Sequence, residues 1–158
     1  MTERFTKLER YLSALAVVTS LVFVGWETRQ NTVAQRAQTR QALSDASREN
    51  TLALANDAEL MRAFASYLDD PMDSAEASLT EVERERATLY LWALLRNAEN
   101  VFYQYQEGVI GADALGTYGF VGAFFRRANF PVHWERMRIW FNPEFVTAFE
   151  AANNLNAP

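Results

Sequence analysis

The pattern of hydrophobic and polar positions changes three times along the chain. Tyr11–Trp26, YLSALAVVTSLVFVGW, runs sixteen residues without a charge. From Glu27 to Asp70 there is no Gly and no Pro, and apolar positions are at first sparse: Val33, Ala34, Ala37. A stripe then emerges at Leu43, Ala46/Ser47, Asn50 and Leu54, close to a 3.6-residue period. The third pattern is Leu89–Tyr105, LYLWALLRNAENVFYQY, apolar on nearly every side for two turns. Such a helix needs neighbours around it, so the rest of the domain is predicted to be organised on it. A polar belt, Arg96 to Asn100, interrupts it midway.

Punctuation residues divide what lies between. Asp57 is placed to cap a helix, DAELMRAFASYL, with Leu60, Met61, Phe64 and Leu68 on one face. The acidic stretch 69–78 carries Pro71 and reads as a loop. Thr80 and Glu83 form a T-x-x-E capping box that starts the central helix, and Gly108 ends it as a C′ glycine would. Gly108 and Gly111 bracket a turn. In the following stretch, residues 112–127, Gly119 and Gly122 would each cost about 1 kcal/mol in a helix. Their predicted use is close approach to a bulky neighbour, Trp92 or Tyr105. Asn129-Phe130-Pro131 breaks the chain and opens PVHWERMRIWF, and Asn142-Pro143 repeats the device before EFVTAFEAA. The tail, NNLNAP, is expected to fray. No stretch alternates with period two over more than a few residues, so no sheet is expected. The predicted fold is all-α: a long N-terminal membrane and stalk helix, then a small helical bundle around a central buried helix at about 80–107. The corresponding regions are an anchor with its N-terminal tail (1–26), a stalk (27–56), a helical domain (57–152) and a frayed tail (153–158).

The first run carries most of the information about location. Tyr11 and Trp26 sit at its ends, where an aromatic belt would lie. Eight of its residues are Leu, Val or Phe, which together favour insertion by about 2.5–5 kcal/mol before Ser13, Thr19 and Ser20 subtract some. At about 1.5 Å per residue it spans roughly 24 Å, short of a hydrocarbon core of about 30 Å. Snorkelling by Arg10 and Arg29 or local thinning closes that gap. A buried helix of a soluble domain and a cleaved signal peptide are the competing readings. Cutting after Gly25 would put Phe23 at −3, where a small residue is needed. An uncleaved single-pass anchor is therefore preferred. Arg4, Lys7 and Arg10 precede the run and Arg29, Arg36 and Arg40 follow it, so charge selects no side for the domain. The Ala-, Gln- and Arg-rich continuation reads as a solvated stalk whose far end packs on the domain. A parallel self-association helix is the alternative, although its heptads are weak.

Composition narrows the classes. The chain has 158 residues, 49% hydrophobic and 22% charged, enough for one ordinary domain with an appendage. Aromatics concentrate after Tyr90 and place the core in the C-terminal half. The net charge of −5 supplies no basic face for nucleic acid. Without cysteine there is no disulfide framework and no thiolate metal site.

On the central helix, Arg96, Glu99, Asn100 and Tyr103 are spaced three and four apart and share a face. They read as a structural polar network that fixes helix docking, with an anion-binding ligand pocket as the second reading. His133 is the single histidine and reads as a rim residue beside Trp134; one His and no Cys do not make a zinc site. Asp69, Asp70, Asp73 and Glu76 lack the Gly and terminal Glu of a calcium loop. There is no phosphate-binding glycine pattern, no nucleophile elbow and no HExxH. No catalytic, cofactor or metal residue is therefore assigned, and the chain is not read as an enzyme.

Four stretches carry a resemblance: VGWETRQNTVAQRA (Val24–Ala37), LALANDAELMR (Leu52–Arg62), LLRNAENVFYQYQEG (Leu94–Gly108) and WERMRIWFNPEFVTAFE (Trp134–Glu150). With them the chain resembles a family of small bacterial single-pass membrane proteins with an N-terminal membrane helix and a compact α-helical domain. Members often carry two tyrosines where this chain has Phe102-Tyr103. The resemblance implies a location in the bacterial inner membrane and a helical fold, and no activity. The expectation is a membrane-anchored interaction or scaffold module whose partners are the lipid bilayer and a protein or a second copy joined through the stalk. The alternative is a ligand-sensing domain with its pocket at the Arg96/Glu99/Asn100 belt.

Overall fold

The computed structural model describes residues 2–71 and 78–155, with side chains from Tyr11 onward except Ala14. All regular elements among these residues are helical. They are α1 (Thr2–Asn56), α2 (Ala58–Asp69), α3 (Glu81–Gln106), α4 (Phe130–Met137) and α5 (Pro143–Asn153). Single 3₁₀ turns lie at Ala112–Ala114, Ala123–Arg126 and Arg138–Trp140. The chain divides into two units, 1–39 and 40–158.

In the first unit α1 contains the apolar run, and no element terminator interrupts it. This is a helix near the N-terminus long and apolar enough to cross a membrane, with a mean hydropathy of 1.4 over its most apolar window. Its large side chains are open: Leu15, Leu21, Val22, Phe23 and Trp26 are all well exposed.

The second unit begins inside α1. Leu43 is only 1% exposed, and Leu54 packs on the same core. The stripe at 43, 46, 47, 50 and 54 is thus the inward face of this part of the helix, buried at Leu43 and half-buried at the rest, and the compact unit starts well before residue 57. Tyr90 Oη donates to Asn50 O at 2.6 Å and pins this segment to α3.

Local signals set the helix ends. Asp57 accepts the Leu60 N–H at 2.9 Å and starts α2. On its inner face Phe64 and Leu68 are buried together with Ala63, whereas Met61 is 46% exposed. Both arms of the Thr80/Glu83 capping box are present. Arg62 with Glu83 and Arg86 with Asp57 join the α2 and α3 starts by ion pairs. Gly108 adopts φ +66° just past α3, a conformation that costs a side-chain-bearing residue. Asn142 caps α5 through the Glu144 N–H at 2.8 Å, with Pro143 in the first turn.

The core is a stack of rings beside α3. Trp134 and Phe149 lie 4.9 Å apart, as do Phe125 and Phe149, and Phe145 joins both Phe141 and Phe149. Burying aromatics of this size dominates the stability of a small domain. α3 presents Ala87, Leu91, Leu95, Ala98, Val101 and Phe102 to it. Its surround is incomplete: Leu89 is 58% exposed and Tyr105 40%.

Three expectations change. Residues 112–127 form turns and not a helix, and Gly119, at φ +89°, sits against the Asn97 amide and not against Trp92 or Tyr105. The tail is ordered through Leu155: Asn153 is buried and donates to Phe120 O and Phe149 O, while Asn154 takes the left-handed conformation that ends α5. Residues 156–158 of the tail and 72–77 of the acidic loop lie outside the described residues.

Candidate functional site

The belt is a junction between α3 and the segment that opens α5. Its spacing on one helix brings Arg96 Nη1 to 2.6 Å from Glu99 Oε2. Long-range partners complete it. Arg96 Nη2 donates to Trp140 O at 3.3 Å, and its guanidinium lies over the adjacent rings of Trp92 and Phe141 at 4.6 and 4.5 Å. Glu99 Oε1 accepts the Asn142 N–H at 3.3 Å and the Tyr103 O–H at 3.4 Å. Glu99 is therefore a buried carboxylate with three donors, which is how such a charge is tolerated. Desolvation first, and the neighbouring Glu99 carboxylate next, push the Tyr103 hydroxyl pKa up. Asn100 faces solvent and stands apart from this network. The Arg96 side chain is 43% exposed, so the two adjacent rings cover one side of the belt and the arginine is open to water on the other.

A second polar cluster was not visible in the sequence. The last carbonyls of α2 lack intrahelical donors, as at any helix end. Asn129, from the break before α4, supplies them: its N–H donates to Leu68 O at 2.8 Å, and its amide to Asp70 O at 2.6 Å and Tyr67 O at 3.3 Å. His133 Nε2 lies 3.0 Å from the same Tyr67 carbonyl. A carbonyl only accepts, so Nε2 carries the proton. The ring stacks on Tyr67 at 3.8 Å. His133 is thus not a rim residue; it is 3% exposed. Burial, ahead of the opposing hydrogen bond to Tyr67, pushes its pKa below the ordinary value. Nearby, Arg127 pairs with Asp69.

Glu150 is a third missed group. It is buried on α5, accepts Trp134 Nε1–H at 3.0 Å and pairs with Arg138 Nη1 at 2.9 Å. The signal was present in the register: 145, 149 and 153 lie on one face, and Glu150 is beside it. The helical spacing identifies a position facing the core, but not its partner fifteen or so residues away.

An apolar cleft of about 280 Å³ opens on the second unit. The α1 segment contributes Asn50 and Leu54, α3 contributes Tyr90, Leu94 and Asn97, and the turn segment contributes Gly119 and Phe124. Gly119 turns the chain sharply here, and Asn97 Nδ2 holds the turn by donating to Tyr118 O at 2.9 Å. Arg96, Glu99, Asn100 and Tyr103 do not line this cleft. The belt and the cleft are separate features, so the residues singled out from sequence do not form the cavity wall.

Comparison with known proteins gives no matching family model, no matching curated protein and no matching solved structure.

Proposed function

We propose that this chain is a membrane-anchored helical module that tethers its compact unit to a bilayer and acts through interactions of that unit. The observation that carries this is the uncharged run 11–26, a continuous helix with its large apolar side chains exposed. Exposed apolar surface on this scale favours transfer into hydrocarbon, and a helix satisfies its own backbone there. Trp26 and Arg29 follow as interface anchors. The resemblance to small bacterial single-pass membrane proteins supports the same reading and suggests the inner membrane. No enzyme activity is assigned. The belt is read as a structural clamp, because its donors and acceptors are directed at the protein itself. The test is fractionation of the full-length chain with carbonate washing and N-terminal sequencing. Retention of the intact chain in the membrane is expected. A soluble chain beginning near Trp26 would identify a signal peptide and overturn the anchor.

A further inference from the structure

The apolar cleft has a neighbour. A second depression of about 220 Å³ shares Leu54, Met61 and Phe124 with it and ends on Arg127. Each is small for a ligand site; together they reach the range of about 300–1,000 Å³ typical of one. Their common wall is adaptable: Met61 and Phe124 are 46% and 37% exposed, and a methionine side chain repacks easily around an aliphatic guest. Neutral polar groups, Ser47, Asn50, Thr51 and Asn97, line the α1/α3 side, and the charged groups lie at the other end. Arg127 is held bidentately by Asp69, its Nε and Nη2 each bonded to one carboxylate oxygen, so Asp69 offsets its charge and only Nη1 is left to donate outward. Arg126 beside it makes no ion pair with a described residue, and both arginines line the adjoining depression. Two joined apolar depressions that end on Arg127, with Arg126, unpaired among the described residues, in the depression adjoining it, are complementary to a single alkyl chain whose anionic head reaches Arg126.

We propose that the cleft formed by the α1 segment, α2 and the 119–125 turn binds a fatty-acid anion, its chain against Leu54, Met61 and Phe124 and its carboxylate at Arg126 and Arg127. This goes beyond the anchor reading and does not require it, since every residue involved lies in the second unit.

Methionine methyl resonances give a direct test. The full chain, labelled at its methionine methyls in phosphatidylcholine nanodiscs, is titrated with dodecanoate. Met61 lines the cleft, and Met137, in the core and 8% exposed, is the internal reference. A saturable shift of Met61 with Met137 unmoved is expected. Dodecanol, with the same chain and no charge, should bind about tenfold more weakly, and Arg126→Glu should weaken dodecanoate by a similar factor. Ala55→Trp fills the first depression from an exposed position and should abolish the response; Ala65→Trp does the same for the second. An unmoved Met61 would overturn the proposal. So would equal binding of dodecanol, which removes the role of the arginines. A response that survives both tryptophan variants would mark it as partitioning into the disc. A joint shift of Met61 and Met137 would indicate general loosening and equally reject the site. Whether the chain floats with the discs is read separately and bears only on the anchor.

Discussion

The Arg96–Glu99 belt and the Glu150–Trp134–Arg138 cluster use the same chemistry in different surroundings. Each sets a buried carboxylate against an arginine and a neutral donor. In the belt the two charges are three residues apart on one helix, and the arginine is 43% exposed. In the other cluster the partners come from different elements, Glu150 and Trp134 are nearly sealed, and the arginine is 36% exposed. What differs is whether water can replace a lost partner. In the belt the neutral side-chain donor, Tyr103, is 36% exposed and can be rehydrated. An indole N–H inside a ring stack cannot, so its acceptor matters more than its Coulomb energy.

The largest test of this contrast is Glu150→Ala. It leaves the Trp134 N–H buried without an acceptor and Arg138 without a buried partner, and should cost about 2–4 kcal/mol in thermal or urea unfolding. Glu150→Gln keeps an acceptor for the indole and should recover at least half of that. If Gln is as damaging as Ala, the ion pair and not the indole bond dominates.

Asn129→Ala comes next. It removes the amide from two α2 carbonyls while leaving the backbone bond to Leu68, and a loss of about 1–3 kcal/mol is expected. Asn129→Asp supplies acceptors where donors are needed and should be no better than Ala.

Arg96→Ala should cost only about 1–2 kcal/mol: an ion pair whose arginine is open to water, plus contacts over two rings. Glu99 keeps its bonds to Asn142 and Tyr103. Arg96→Met with Glu99→Gln should be close to the single Arg96 variant. A loss above about 3 kcal/mol would show that the belt is as sealed as the Glu150 cluster.

The smallest effect is in pH. The pKa of His133 is lowered in the fold from its ordinary value of 6.5, so the unfolded chain binds a proton before the folded chain does. Stability from this group is complete above about pH 6.5 and falls as pH drops towards the folded pKa. His133→Gln should flatten that segment of the stability curve. Asp57 and Glu83 have lowered pKa values, first through their backbone bonds to Leu60 and Thr80, and act only at lower pH, below their ordinary values of 3.8 and 4.5. A His133→Gln variant with an unchanged slope just below pH 6.5 would show that the histidine does not titrate there.

The sequence by itself determined the features whose partners lie within one helical turn. The Asp57 cap, the Thr80/Glu83 box, the left-handed Gly108, the Asn142-Pro143 start and the inward stripe from Leu43 to Leu54 are bonds or registers between residues three or four apart, and spacing alone specifies them. The pairing of Arg96 with Glu99 belongs to the same class. The tertiary structure alone decided what spans longer separations. Asn129 and His133 cap a helix some sixty residues upstream. Glu150 finds an indole sixteen residues away, and Asn153 a carbonyl at Phe120. Residues 112–127 turn where glycines allow it, because a ring stack and Asn97 hold them there. A buried polar group takes whichever complementary partner the packing brings to it. That is set by how helices meet in space, and no local periodicity encodes it.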